Sequence, residues 1–321
     1  MQDYNRRSIF LRSSGLSHAQ NTASESTLLL DGGLGTELAR RGCHVSDALW
    51  SARALLEDPA AVERVHLDYL EAGADVITTA SYQVSFAGFA RAGVSRANTV
   101  AALHESVAVA RRAREKHLAR AGAARAILVA ASVGPYGATL ADGSEFHGNY
   151  DLSFDALVAF HRERLEVLAG AGADLLACET LPSLDEAKAI LAALGGFPGA
   201  RAWFSFTCAD EKHTAHGEAI GECARLLDGE EAVAAIGINC TAPPLVTGLI
   251  REMRGATRKP VVVYPNRGQK WDAVHRRWIG RGAPQDFGAM AREWHAAGAR
   301  WIGGCCGTTP QDIAAMRAAL A

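Results

Sequence analysis

Short apolar runs alternate with longer stretches of helical periodicity along this chain. The runs cover residues 28–30, 76–79, 127–131, 175–177, 202–206, 232–238, 261–264 and 301–302. Most are continuous and partly β-branched, as strands buried on both faces are. Between them, residues 59–72, 97–121, 154–171, 184–194 and 287–297 space their apolar side chains as amphipathic helices do. A signature recurs where helix gives way to strand: Ala72-Gly73-Ala74-Asp75, Ala171-Gly172-Ala173-Asp174 and Ala297-Gly298-Ala299-Arg300. In each, glycine ends the helix and a short buried strand begins.

Eight alternating units predict an α/β fold, a (β/α)8 TIM barrel in a single domain. A doubly wound open sheet would want fewer strands and a phosphate-binding glycine fingerprint. Gly32-Gly33-Leu34-Gly35 matches that fingerprint poorly. Barrel active sites sit at the C-terminal ends of the strands. The residues that follow the runs are far more polar than the runs themselves. They include Asp31-Gly32-Gly33, Ser81-Tyr82-Gln83, Ser132-Val133-Gly134, Cys178-Glu179-Thr180, Asn239-Cys240, Pro265-Asn266 and Gly304-Cys305-Cys306. A substrate pocket is expected there.

Composition narrows the function classes. A net charge of −2 offers no electrostatic footprint for nucleic acid or an anionic membrane. No apolar run approaches the roughly 20 residues that span a bilayer. The first 26 residues are polar, with Arg6, Arg7 and Arg12, and they lack the apolar stretch of a secretory signal. They are expected to form a disordered extension, with the barrel over 27–321. Seven cysteines without a secreted spacing pattern fit a reduced, cytoplasmic protein.

Three of those cysteines suggest chemistry. Cys240 ends the sixth run in Gly237-Ile238-Asn239-Cys240, and Cys305 and Cys306 follow the eighth in Gly303-Gly304-Cys305-Cys306-Gly307-Thr308. Two strand ends then deliver three thiolates to one point. Soft thiolates select Zn2+ over magnesium or calcium, and three protein ligands leave an open position, as catalytic zinc requires. Adjacent residues of a strand point to opposite faces, so a bend is needed, which Gly304 and Gly307 permit. Cys43 and Cys223 read as structural, and Cys178 and Cys208 as possible pocket lining. Three thiolates around a divalent ion make an electron-rich centre, poor at generating hydroxide but suited to holding a substrate thiolate. A free thiol ionises near about pH 8.5, so this activation matters at neutral pH. Alkyl transfer to a substrate thiol is the reaction that follows.

The ordered motifs resemble those of the homocysteine S-methyltransferases, in particular the branch that uses S-methylmethionine as donor. The motifs are 31–38, 78–83, 134–138, 142–145, 148–150, 179–183, 237–240, 264–266 and 303–308, and the resemblance spans about residue 27 to the end. It implies Zn2+ on Cys240, Cys305 and Cys306. It gives Asp31 and Glu179 the homocysteine ammonium, and the amides around Gly32 and Gly33 its carboxylate. Asn239 and Asn266 are candidates to orient either amino acid. A sulfonium methyl favours aromatic faces and carboxylates, so Tyr82, Tyr136, Glu145 and Trp271 are donor-pocket candidates. The products would be methionine from both sides. Related readings change the donor to S-adenosylmethionine or betaine, or the acceptor to selenocysteine. From another class, a zinc hydrolase would want His and Asp ligands, and a non-catalytic zinc- or thiol-sensing barrel would need no amino-acid pocket.

Overall fold

The computed structural model describes residues 26–45, 49–121, 125–272, 277–279 and 285–321, with 270–272 and 277–279 described as backbone. The proposed extension over 1–26 lies outside the described residues but for Ser26. The strands are β1 (Leu28–Leu29), β2 (Val76–Thr78), β3 (Leu128–Val133), β4 (Leu175–Leu181), β5 (Ala202–Phe206), β6 (Val233–Asn239) and β7 (Val261–Tyr264), then β8 (Lys270–Asp272), β9 (Arg277–Ile279) and β10 (Ala299–Ile302). Eight of them form one parallel sheet in the order β1-β10-β7-β6-β5-β4-β3-β2. A parallel bridge between Leu30 and Val76 joins its two ends, so the sheet closes into a (β/α)8 barrel. β8 and β9 pair antiparallel as a separate hairpin, which the apolar pattern did not foreshadow.

The recurring Gly-Ala joint works as its chemistry dictates. Gly73, Gly172 and Gly298 have φ of +109°, +89° and +116°, where a side chain would be strained. The acid that follows two of them then serves the neighbouring strand. Asp75 Oδ2 accepts from Leu29 N at 2.9 Å, and Asp174 Oδ2 from Val129 N at 2.7 Å. These bonds close the bottom of the barrel. Helix starts are capped as conventionally, by Asp58, Ser153, Ser183 and Asp286, and by a reciprocal Thr309–Asp312 box.

The barrel interior alternates large and small residues, with Trp203, Trp301 and Tyr264 facing Ala130, Ala177 and Ala235. Trp203 meets Trp301 edge-on at 5.9 Å, and its indole donates to the Tyr264 hydroxyl at 2.9 Å. The barrel is therefore filled from below, and the space left lies at the C-terminal ends of the strands. A larger apolar layer, including Leu103, Leu165, Phe204 and Met253, fills the gap between strands and helices. Among the described residues no helix is long and apolar enough to cross a membrane.

Candidate active site

Three cysteine side chains meet at the barrel mouth. The Sγ atoms of Cys240, Cys305 and Cys306 all lie within 4.8 Å of one another, with Cys305 and Cys306 at 3.9 Å. Tetrahedral coordination with metal–sulfur bonds near 2.3 Å puts sulfurs about 3.8 Å apart, so the three atoms need only a small contraction to share an ion. This soft donor set fits a metal. Sulfur–sulfur contacts with Cys240 and Cys306 hold the Cys305 thiol well below the ordinary thiol range, contact with Cys305 pushes Cys240 up, and contacts with Cys240 and Cys305 push Cys306 up.

The backbone bends that bring these sulfurs together are specific. Cys240 has φ of +48°, which turns the chain at the end of β6. Asn266 Nδ2 donates to the Cys240 carbonyl at 2.9 Å and fixes that turn. After β10, Thr308 N bonds Cys305 O at 3.0 Å and Gly307 takes φ of +82°. A Cβ on Gly304 would stand 2.2 Å from Thr308 Oγ1, so this glycine is needed for the turn to close.

Two carboxylates stand beside the cluster. Asp31 follows β1 and accepts from Thr78 N at 2.8 Å and Thr78 Oγ1 at 2.9 Å. Burial, with the nearby Cys305, raises its carboxyl to about 7 against the opposing Thr78 bonds. Glu179 lies within β4 and accepts from the Ser132 hydroxyl. Burial raises it to about 8, and the charges of Cys305 and Asp31 add to that. Two buried acids pushed up this far are poised for a cation, which would return both to the charged form.

Thr180 follows Glu179 in a left-handed conformation, φ +57°, which is costly for a β-branched residue. Asn239 holds it there. Its Oδ1 accepts from Thr180 N at 2.7 Å and Ser205 Oγ at 2.9 Å, and its Nδ2 donates to Thr180 Oγ1 at 2.7 Å.

A cavity of about 120 Å3, open to solvent, collects most of the residues expected from sequence. Asp31, Gly32, Gly33, Tyr82, Glu145, Glu179, Cys240, Cys305 and Cys306 line it together. Three other candidates stand elsewhere. Asn239 and Asn266 do not line it: Asn266 holds the Cys240 turn, and Asn239 holds Thr180 and Ser205 while its Nδ2 approaches Cys305 Sγ at 4.0 Å. Tyr136 packs its ring edge-on against Tyr150 at 5.2 Å and Phe160 at 5.1 Å, away from the cavity. The Trp271 side chain lies outside the described residues. Gly33 N is also engaged, at 3.2 Å to Thr308 Oγ1. Cys178 is fully buried in the layer beneath the helices, so it is packing rather than lining.

Other lining residues were not singled out from sequence. Thr78 and Ser132 hold the two carboxylates, and Trp50 and Phe146 add aromatic surface. Thr78 and Ser132 sit at polar strand ends, which was their only signal. Trp50 comes from a connection before the helix Ser51–Glu57, and no local pattern points it at the mouth.

Beneath the loop after β3 runs a buried polar relay. Arg164 Nη2 donates to Gly134 O at 2.7 Å and lies 2.9 Å from His161 Nδ1, and His161 Nε2 lies 2.9 Å from Glu186 Oε1. Glu186 also accepts from Tyr136 N. Burial lowers the His161 imidazole, so it is neutral and receives at Nδ1 while giving at Nε2. The relay ties the segment 134–136 to the helices behind it.

The family model described as homocysteine S-methyltransferase matches residues 28–320. A protein named homocysteine S-methyltransferase from Escherichia coli K12 is 50% identical over 91% of this chain and 94% of its own length. One from Bacillus subtilis 168 is 47% identical over 89% of this chain and 92% of its own. The crystal structure of the Escherichia coli homocysteine methyltransferase in its metallated form superposes with a TM-score of 0.84 at 47% identity. That match covers 94% of this chain and 99% of the other.

Proposed function

This chain belongs to the homocysteine S-methyltransferase family, and we propose that it moves a methyl group from S-methylmethionine to the thiol of L-homocysteine at Zn2+ held by Cys240, Cys305 and Cys306. The observation that carries the reading is the company the cysteines keep. One cavity holds the three thiols, Asp31, Glu145 and Glu179, and among the described residues no lysine, arginine or histidine lines it. Such a wall suits substrates that bring cations, and both homocysteine and S-methylmethionine do.

Zinc bound to the three sulfurs would lower the pKa of a homocysteine thiol in its fourth position and keep that sulfur nucleophilic. Asp31 and Glu179, flanking Cys305, take the homocysteine ammonium. The Gly32 amide, which has no partner among the described residues, takes the carboxylate, because glycine allows close approach. Tyr82 presents an aromatic face to the sulfonium. The homocysteine sulfur then attacks the methyl carbon in line. A carbon–sulfur bond forms as the sulfonium carbon–sulfur bond breaks, its electron pair staying on the departing neutral thioether. Both products are methionine, and the thiol proton passes to solvent. Holding the two sulfurs in line supplies much of the rate. Seven free cysteines suit the reducing cytoplasm, where we place the enzyme.

A panel assay tests this reading. Purified enzyme is given homocysteine or selenocysteine with S-methylmethionine, S-adenosylmethionine or betaine, with and without a chelator. The reading expects S-methylmethionine with homocysteine to be the fastest pair and the chelator to stop it. Faster transfer from another donor, or chelator resistance, overturns the donor or the metal respectively.

A further inference from the structure

The cavity wall holds three carboxylates, and Asp31 and Glu179 are both hydrogen-bonded and both beside Cys305. Glu145 receives a hydrogen bond only from its own backbone, and Cys305 is not among the charges that shift it. It is 8% exposed, lines the cavity, and its Oε2 atom is buried with no hydrogen-bond partner. A buried carboxylate oxygen without a partner is costly unless a ligand completes it.

Its place in the barrel says which ligand group that is. Cys240 follows β6, and Cys305 and Cys306 follow β10, so the sulfurs flank β7 in the sheet order. Counted round the closed ring of eight, β3 stands diametrically opposite β7. Glu145 belongs to the connection after β3, so it faces the cysteines across the mouth. Tyr82 lines the same cavity and feels the charges of both Glu145 and Cys240. A donor whose sulfonium methyl meets a thiolate at the cysteines can extend its far end across the mouth toward β3.

The loop is built to hold Glu145 there. Ala141 takes φ of +56° and Gly143 +89°, turning the chain back into the mouth, and Asp142 Oδ1 accepts from Ser144 N at 2.9 Å. A Cβ on Gly137 would stand 2.5 Å from Glu145 N, so the two backbones are in close contact. Gly137 directly follows the segment 134–136 that the Arg164–His161–Glu186 relay anchors.

We infer that Glu145 receives the α-ammonium group of the methyl donor and so selects sulfonium donors that are amino acids. The inference rests on the donor reading above and adds the group recognised and the residue that recognises it.

The test uses two donors that differ only in that group: S-methylmethionine and 4-(dimethylsulfonio)butanoate, the same sulfonium acid without its amine. Their kcat/KM values are measured with homocysteine for the wild type and Glu145→Gln. Wild type should prefer the amino acid. The neutral variant should shrink that preference by about 10- to 100-fold, the worth of a charge-assisted hydrogen bond. Its KM for homocysteine and its metal content should stay as in the wild type. An unchanged preference overturns the inference, whether both donors slow together or neither does. If Glu145→Gln does not fold, wild type alone decides: equal use of the two donors overturns the inference. Failure of wild type to use either sulfonium refutes the donor reading instead, and removes this inference with it.

Discussion

Asn239→Ala removes an amide that ties the ends of β4, β5 and β6 together. Three buried hydrogen bonds to nitrogen and oxygen are lost, with Thr180 N, Thr180 Oγ1 and Ser205 Oγ, together with a weaker 4.0 Å contact from Nδ2 to Cys305 Sγ. At about 1 kcal/mol each, the loss is about 3 kcal/mol. Thr180 also sits at φ +57° only while Asn239 grips it. A left-handed β-branched residue costs about 1–3 kcal/mol, so the freed chain relaxes toward extended backbone. That relaxation turns the neighbouring Glu179 away from Ser132. Release of that strain offsets about 1–2 kcal/mol of the loss, so at about 2 °C per kcal/mol for a chain of this size Tm should fall by about 2–4 °C. Calorimetry of the metal-loaded protein measures the fall, and titration with homocysteine measures the weaker binding that accompanies it. A Tm within about 1 °C of wild type, together with a raised homocysteine Kd, would refute the reasoning. Asn239 would then be a substrate contact, not a strut between strands.

Cys306→Ser should purify without its metal but with a wild-type circular dichroism spectrum, because Cys306 is only half-buried at the mouth. Full metal content by mass spectrometry would contradict the ligand set. Glu179→Ala should retain metal and bind homocysteine about 10- to 100-fold more weakly, as loss of a charge-assisted bond implies; unchanged affinity removes Glu179 from the ammonium site. Burial, with Asp142 adding to it, raises Glu145 from 4.5 to about 7. The folded state therefore holds this proton more tightly than the unfolded chain. Its stabilising contribution is full below about pH 4.5 and is lost as pH rises through about 7. Tm of substrate-free enzyme should decline over that window, and Glu145→Gln should flatten the decline; parallel curves would show that Glu145 titrates normally.

Much of the barrel was legible because both faces of each strand are buried, and burial writes itself as apolar runs. β5 and β7 start and stop where their runs do. β3 and β4 run further, through Ser132 and Glu179, because strand pairing is a backbone matter and continues into the polar mouth. The three cysteines were legible because glycines crowd them at two strand ends. Asp31, Glu179, Tyr82 and Glu145 reach the cavity from motifs that a sequence can show. The asparagines could not be assigned that way. Asn239 and Asn266 act through partners 59 and 26 residues distant, and a polar residue at a strand end reads alike whether it faces substrate or its own backbone. The left-handed turns at Thr180 and Cys240 were hidden for the same reason. Neither residue favours that conformation, and long-range hydrogen bonds impose it.

The central claim is that a methyl group passes intact from the donor sulfonium to the homocysteine sulfur. Donor carrying two deuterated S-methyl groups and homocysteine carrying a 13C backbone test it in one mass spectrum. The account predicts 13C-methionine bearing one trideuteromethyl group, formed in equal amount with unlabelled-backbone methionine that keeps the other. No 13C-methionine, or 13C-methionine with an undeuterated methyl, would contradict it.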